Sequence, residues 1–149
     1  MLEYLPAKTE QYETFLQLTQ DQASGYLEDP LRLMKMTWEK YSQLFRSLGQ
    51  VYGIYTEGEE AGFFWIEERE KILHLHGLIL KKDFQGRDIG TQVLHDLEAH
   101  YGDRMDCIEL GVHKSNVRAK RLYERSGYET VKTYRDLGFD VLQKRLPET

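Results

Sequence analysis

The chain has 149 residues, a formal net charge of −5 and an isoelectric point near 5.6. This length suits one domain with a hydrophobic core, so we expect a single domain over residues 1–149. The negative charge argues against nonspecific nucleic-acid binding, which depends on neutralising phosphates. The sequence shows neither a signal peptide nor a long apolar run, so we expect a cytoplasmic protein without a membrane partner. The single cysteine, Cys107, excludes an intrachain disulfide.

The first third of the chain predicts one strand and two helices. Residues 2–6 are predicted as an edge strand, and Thr9 is predicted to begin the first helix. The pair Asp29-Pro30 predicts the start of a second helix, because Asp is a good N-cap and Pro a good first residue. This helix is expected to run unbroken to Gly49. Its predicted apolar face follows a three-four repeat: Leu31, Met34, Trp38, Tyr41, Phe45 and Leu48.

The next segment predicts three strands. Residues 50–56 and 60–67 are predicted as a hairpin, and residues 71–80 as the following strand. The third of these strands carries His74 and His76, which lie two residues apart and should face the same side. The residues expected to face the other side are Leu73, Leu75 and Ile79.

Two histidines on one face of an apolar strand require an explanation. They could be satisfied polar groups, zinc ligands or a proton relay. Zinc is disfavoured because the sequence has no nearby cysteine or carboxylate pattern to complete the site. We therefore expect no metal.

The loop after this strand predicts an anion site. It reads Gln85-Gly86-Arg87-Asp88-Ile89-Gly90 and leads into an amphipathic helix. The first N–H groups of a helix have no intrahelical partners, and the helix dipole favours negative charge there. Gly86 and Gly90 would let a ligand approach the backbone, and a pyrophosphate is the natural occupant. An ordinary strand-to-helix turn would share this pattern.

The last third predicts a strand, a helix and an antiparallel pair. Alternating residues predict a strand around Leu110, after which Ser115 or Asn116 should cap a helix that ends at Gly127. Residues 128–134 and 140–146 are predicted as the final strand pair. The predicted element order is therefore β-α-α-β-β-β-α-β-α-β-β.

Two motifs resemble motifs A and B of the GCN5-related N-acetyltransferases, or GNAT superfamily. Motif A has the form Gln/Arg-x-x-Gly-x-Gly/Ala, which Gln85, Ile89 and Gly90 fit and from which Asp88 departs. Motif B appears as Asn116, Ala119, Leu122-Tyr123 and Gly127-Tyr128. The resemblance implies an α/β (α+β) GNAT fold, with a mixed, mostly antiparallel sheet flanked by helices.

The resemblance also implies a reaction and a set of cofactor contacts. The reaction would move an acetyl group from acetyl-CoA to an amine by direct attack in a ternary complex, with Tyr123 as the acid for the departing thiolate. Asp88 could cap the helix, or it could place a carboxylate near the phosphates. The implied cofactor-binding residues are Leu78, Ile79, Leu80, Gln85, Gly86, Arg87, Asp88, Ile89, Gly90, Thr91, Asn116 and Tyr123. Among them, 78–80 would offer a free strand edge to the pantetheine arm.

The general base and the acceptor stay open at this stage. The His-x-His strand is similar to that of the arylalkylamine N-acetyltransferases, which implies a proton relay through His76 and His74. Other candidate bases are Glu67, Glu109 and His113. Residues 20–29 should border the acceptor, a primary amine of a small molecule or protein, and their aromatic and acidic residues would suit a cationic amine. The alternatives are a noncatalytic coenzyme A-binding module and a purely structural protein, and a homodimer is an open expectation.

Overall fold

The computed structural model describes residues 1–23 and 25–147, which form seven strands and five α-helices. The strands are β1 (Leu2–Pro6), β2 (Gln50–Thr56), β3 (Glu59–Arg69), β4 (Ile72–Leu80), β5 (Cys107–His113), β6 (Glu129–Tyr134) and β7 (Phe139–Arg145). The helices are α1 (Thr9–Gln22), α2 (Glu28–Leu33), α3 (Trp38–Ser47), α4 (Ile89–Tyr101) and α5 (Val117–Arg125). A short 3-10 turn, Lys82–Phe84, joins β4 to the loop before α4.

All seven strands lie in one sheet, in the order β1-β2-β3-β4-β5-β7-β6. Five of the six neighbouring pairs are antiparallel, and only β4 and β5 run parallel. A parallel pair needs a long crossover, which α4 supplies. The predicted class, a mixed and mostly antiparallel sheet flanked by helices, is confirmed.

Each face of the sheet carries its own hydrophobic core because side chains alternate along the central strand β3. Phe64 and Ile66 join the core beneath α4 and α5, which includes the fully buried Leu94. Phe63 and Trp65 join the opposite core beneath α1 and α3. The site described below lies where β4 and β5 meet these two layers.

The predicted second helix is in fact two helices, so its continuity was wrong. Helix α2 ends at Leu33, Lys35 has a positive φ of 55°, and α3 begins at Trp38. Thr37 caps α3, since its hydroxyl accepts a hydrogen bond from the Lys40 N–H at 3.1 Å. Because the Thr37 hydroxyl bonds to the backbone at the start of a new helix, it favours a break before Trp38. The spacing of the apolar residues does not show this break.

Strand β4 contains a β-bulge at His76. In the ladder with β3, Leu75 pairs with Ile66 and Gly77 pairs with Trp65, which leaves His76 as the extra residue. Beyond the bulge the alternation reverses, so Ile79 packs in the core beneath α1 and α3. The prediction that Ile79 faces away from the histidines was therefore wrong, because a single extra residue shifts the period of two.

Strands β4 and β5 diverge halfway along their length. They pair only from Ile72–Leu75 with Cys107–Leu110, after which β4 stays with β3 and β5 stays with β7. The gap leaves the end of β4 with a free edge, at the predicted residues 78–80. This edge and the loop that follows it form the candidate site.

Candidate active site

The loop before α4 presents a run of unpaired backbone donors. The Gln85 N–H donates to the Lys82 carbonyl at 3.3 Å, and the Gln92 N–H donates to the Asp88 carbonyl at 3.1 Å. Between them, the N–H groups of residues 86–91 have no acceptor within the described part of the chain. The loop lines a cavity of about 350 Å³. The predicted anion site therefore has both the donors and the space that it needs.

Three arginines of α5 line the same cavity. Arg118, Arg121 and Arg125 follow a spacing of three and four residues, which places them on one helix face. Arg118 Nη1 donates to Gln85 Oε1 at 2.8 Å, and Gln85 Nε2 donates to the Leu80 carbonyl at 3.1 Å. The arginines' spacing of three and four residues is the signal in the sequence that could have identified them as one helix face.

Asp88 does not cap α4, so that alternative was wrong. The residue adopts a left-handed conformation, with φ 61° and ψ 15°, and its side chain makes no capping hydrogen bond to any residue that the structure describes. Glycine adopts this conformation without strain, and Asp tolerates it better than most residues. Because Asp88 also lines the cavity, its carboxylate lies at the proposed anion site.

The two loop glycines have different roles. Gly86 has a φ of +76°, and an added Cβ would meet nothing within 4 Å, so its backbone is open toward a ligand. At Gly90 an added Cβ would lie 2.8 Å from Leu122 Cδ2. Gly90 therefore allows α4 to pack closely against α5. Gly90 also lines the cavity, so the expected approach of a ligand to both glycines stays a prediction.

A second cavity, of about 160 Å³, opens between the diverging strands. Leu78 and Ile79 line it from β4, and Asn116 and Tyr123 line it from α5 and its cap. Asn116 is the observed cap, since its Oδ1 accepts from the Ala119 N–H at 3.3 Å. Neighbouring residues of the same two elements line both cavities: Leu80 and Leu122 line the first, and Ile79 and Tyr123 line the second.

Tyr123 is 7% exposed, and its ring contacts the core beneath α4 and α5. Burial, followed by the neighbouring Tyr26 hydroxyl, raises the pKa of Tyr123. The phenol therefore keeps its proton throughout the physiological range and can donate a hydrogen bond into the second cavity.

The free edge of β4 directs backbone groups into the gap. The Lys81 N–H donates to the Ala61 carbonyl at 2.8 Å, so the alternation of the ladder turns the N–H groups of Leu80 and Leu78 away from β3. The Leu80 carbonyl accepts side-chain hydrogen bonds from Gln22, at 2.7 Å, and from Gln85. These bonds hold the end of β4 in place.

His76 forms a dyad with Glu67 beside the second cavity. His76 Nε2 lies 2.8 Å from Glu67 Oε1 and its ring packs on Trp65 at 4.8 Å between centroids. A carboxylate accepts hydrogen bonds, so the neutral imidazole donates from Nε2 and keeps the Nδ1 lone pair available. Because His76 also lines the cavity, this nitrogen is a candidate general base.

His74 stacks behind His76, with ring centroids 5.9 Å apart and an interplanar angle of 13°. Its Nδ1 lies 3.4 Å from Glu109 Oε2, and Arg69 Nη2 lies 3.4 Å from its Nε2. Burial and then the Arg69 charge lower the pKa of His74. No hydrogen bond joins the two rings within the described residues, so the predicted relay would need a bridging group.

His113 has both ring nitrogens engaged. Its Nδ1 accepts from the Ser115 N–H at 3.0 Å, so its Nε2 carries the proton and donates to Asp29 Oδ2 at 2.8 Å. The ring is 4% exposed and stacks on Tyr26 at 4.2 Å between centroids. This arrangement leaves His113 without a free lone pair, which removes it from the candidate bases.

Glu28 and Asp29, the first two residues of α2, do not line the second cavity, and the expected role of these acids at the acceptor stays a prediction. Asp29 is bound to His113, and Glu28 lines a separate surface depression with Arg32 and Lys35. Tyr26 does line the second cavity. The position of Tyr26 therefore agrees with the expectation that an aromatic residue of this segment borders the acceptor.

Comparison with known proteins matches residues 12–128 to the model of the Acetyltransferase (GNAT) family. The chain belongs to the GNAT family. An uncharacterized N-acetyltransferase of Methanocaldococcus jannaschii is 44% identical over 57 residues, which cover 37% of this chain and 36% of the relative. A probable spermine N(1)-acetyltransferase of Bacillus subtilis subsp. natto is 28% identical over 87 residues, 52% of this chain and 57% of the relative. The matches thus span between a third and three fifths of these relatives.

Solved GNAT structures share the fold across almost the whole chain. The PaiA N-acetyltransferase of Thermoplasma acidophilum, solved in complex with coenzyme A, has a TM-score of 0.72 and 18% identity, covering 97% of this chain and 99% of its own. Ard1 of Thermoplasma volcanium has a TM-score of 0.75 and 14% identity, covering 99% of both chains. At these identities the likeness establishes the GNAT fold.

Most of the predicted GNAT site residues line one of the two cavities, and the exceptions are His74 and Arg87. The Arg87 guanidinium stacks over the Phe84 ring at 5.2 Å, and the residue lines neither cavity. Among the described residues, no three His, Cys, Asp or Glu side chains are grouped so as to hold a metal ion, and no helix is long and apolar enough to span a bilayer.

Proposed function

We propose that this GNAT protein is an acetyl-CoA-dependent N-acetyltransferase that acts on a primary amine by direct attack in a ternary complex. The observation that carries the proposal is that the end of β4 and helix α5 line both cavities, where β4 and β5 diverge. One cavity offers anion-binding groups, and the other offers a base and the phenol of Tyr123.

The residues of the first cavity fit a polyphosphate ligand. Six consecutive N–H groups, the start of α4 and three arginines of α5 all favour negative charge. The free edge of β4 fits an amide-bearing arm, because the N–H groups of Leu78 and Leu80 point away from β3 and the ladder with β5 ends at Leu75. When bound, acetyl-CoA would supply the activated acetyl thioester.

The chain's own groups would then act at the second cavity. The Leu78 N–H would donate a hydrogen bond to the acetyl carbonyl oxygen as negative charge develops there. His76 Nδ1 would accept the proton of the attacking amine and later release it to solvent, while Glu67 holds the ring through Nε2. The Tyr123 hydroxyl would give its proton to the departing sulfur, so that coenzyme A leaves as the thiol, and the phenol would regain a proton from solvent.

A noncatalytic module that binds coenzyme A or another ligand is the second candidate, and Asp88 is the feature that favours it, because an acidic residue lining the anion site would weaken use of acetyl-CoA as the donor. The deciding measurement is release of free thiol from acetyl-CoA with and without a panel of primary amines. The panel includes spermine, which the name of the Bacillus relative suggests.

An acetyltransferase releases thiol only when a suitable amine is present. A binding module gives no amine-dependent release, yet coenzyme A at a hundred times its Kd should still stabilise it by about 2.7 kcal/mol. Absence of both effects would contradict both functions.

A further inference from the structure

The second cavity has an apolar lining on the side away from the proposed cofactor. This side is formed by the connection between α1 and α2, by α2 and by the neighbouring core. Within residues 1–23 and 25–147, no Asp, Glu, Lys or Arg side chain lines the cavity. The apolar and aromatic residues on this side are Tyr26, Leu27, Leu31, Met34, Tyr41 and Phe63.

The tyrosine side chains of the cavity carry no charge. Tyr26, Tyr41 and Tyr123 all present phenols, and burial raises the pKa of each, that of Tyr41 to about 12. These hydroxyls stay protonated at working pH and give no negative charge. They can bind a neutral polar atom but cannot neutralise a buried ammonium group.

Asp29, in helix α2 on this side of the cavity, already has a hydrogen-bond partner. Asp29 Oδ2 accepts from His113 Nε2 at 2.8 Å, and the His113 ring lies flat against Tyr26. Releasing Asp29 to bind a cationic acceptor would leave a buried His113 N–H without its partner, which is unfavourable. The Asp29 carboxylate thus holds α2 against His113 and is not available to bind the acceptor.

Resting on the acetyltransferase function proposed above, we propose that the acceptor is a primary amine attached to a compact apolar or aromatic group that carries no second positive charge. The cavity's volume of about 160 Å³ must also admit the acetyl group, so only a compact part of the acceptor fits inside. A second ammonium group there would be desolvated without a counter-ion.

The same chemistry occurs in free arylalkylamines and at peptide N-termini that begin with an apolar residue. The test therefore compares 2-phenylethylamine, a short peptide beginning with phenylalanine, and spermine. We expect kcat/KM to be at least about tenfold higher for one of the first two than for spermine. Which of the two is acetylated identifies the source.

Calorimetric titration of the same amines into the protein with coenzyme A bound gives a second readout. It should show binding of the apolar amine and much weaker binding of spermine.

A pair of variants tests the role of the uncharged lining. Met34→Glu places a carboxylate in the cavity at a position that is already 41% exposed, so the fold should tolerate it. It should raise kcat/KM for spermine and lower it for the apolar amine. Met36→Glu is the matched control, because Met36 lines the separate depression beside Arg32 and Lys35. It should leave the ratio between the two amines unchanged.

The outcomes separate this inference from the function on which it rests. Acetylation of spermine with a higher kcat/KM than either apolar amine would overturn the acceptor class and leave the acetyltransferase function standing. If no amine of the panel increases thiol release while coenzyme A still binds, the acceptor class and the acetyltransferase function are both contradicted. An equal response of the Met34 and Met36 variants would contradict the role assigned to the lining.

Discussion

The Tyr123 hydroxyl reaches the second cavity from a buried ring that contributes to the core. Tyr123→Phe removes the donor and keeps nearly all of the packing. We expect turnover to fall about tenfold or more, toward the 10²–10⁴ typical of general acid–base groups. Acetyl transfer under saturating substrates measures this effect, and chemical unfolding should show little change in stability.

The matched control for this prediction is Tyr128→Phe. Tyr128 lies next to Tyr123, with 5.9 Å between ring centroids, but its hydroxyl donates to Glu98 Oε2 at 3.3 Å. The control should lose some stability and keep its turnover. Full activity in the Tyr123 variant would mean that water, and not the phenol, protonates the departing sulfur.

Asp88 combines a left-handed backbone with a carboxylate at the anion site. Asp88→Gly should raise the free energy of unfolding by up to about 1 kcal/mol, because glycine adopts this conformation without strain. It should also tighten coenzyme A binding. Asp88→Asn separates the two effects, since asparagine tolerates the backbone but lacks the charge, and it should tighten binding alone. Unchanged affinity in both variants would rule out repulsion of the phosphates by Asp88.

Helices α4 and α5 are held together at the contact between Gly90 and Leu122, so at the scale of elements Gly90 is a packing residue. Gly90→Ala would bring its Cβ to 2.8 Å from Leu122 Cδ2. We expect a loss of roughly 1–3 kcal/mol in unfolding free energy, typical of overpacking. The double variant with Leu122→Ala should show positive coupling in a double-mutant cycle, because it removes the clash. Strict additivity of the two losses would refute the contact.

The histidines of β4 predict a pH dependence of stability. The pKa of His74 is lowered in the folded protein, so below about pH 6.5 the unfolded chain binds more protons. The free energy of unfolding should therefore fall as pH decreases from 6.5 toward the folded pKa. His74→Gln should flatten this part of the urea-unfolding profile, and His95→Gln, at an exposed position on α4, should not.

The same strand predicts a pH dependence of rate. If His76 takes the amine proton, acetylation should slow at acid pH as the imidazole becomes protonated. His76→Gln should remove this limb while coenzyme A affinity stays the same, since His76 lies outside the first cavity. A pH profile of unchanged shape would move the base to Glu67, Glu109 or ordered water.

At the scale of the whole molecule, the Asp29–His113 contact joins helix α2 to the end of strand β5 beside the second cavity. Asp29→Ala leaves the buried His113 N–H without its partner, which should cost about 1–3 kcal/mol in unfolding free energy. The KM for the amine should rise, while the Kd for coenzyme A should not change. Asp21→Ala, on the exposed end of α1, is the control. A changed coenzyme A affinity in the Asp29 variant would show that the Asp29–His113 contact also positions the cofactor site.

The sequence by itself determined the features that depend on local pattern and local conformation. Hydrophobic periodicity located the strands and the helices α1, α4 and α5, because each element must bury one face. The motif around Gln85 and the motif around Asn116 identified the family, since Gly86, Gly90 and Asn116 occupy backbone and capping positions that few residue types suit. The fold class was implied by this family resemblance, with which the predicted order of the elements agrees.

Tertiary structure decided what depends on contacts between distant segments. The bulge at His76 arises in the pairing of β4 with β3 and reverses the face of Ile79. Asp29 meets a histidine 84 positions away, so no local pattern could show that its carboxylate is occupied. Gly90 proved to be a packing residue only once Leu122 was placed against it. Periodicity reports which face of an element is buried, whereas the partner on that face is fixed by the packing of the whole chain.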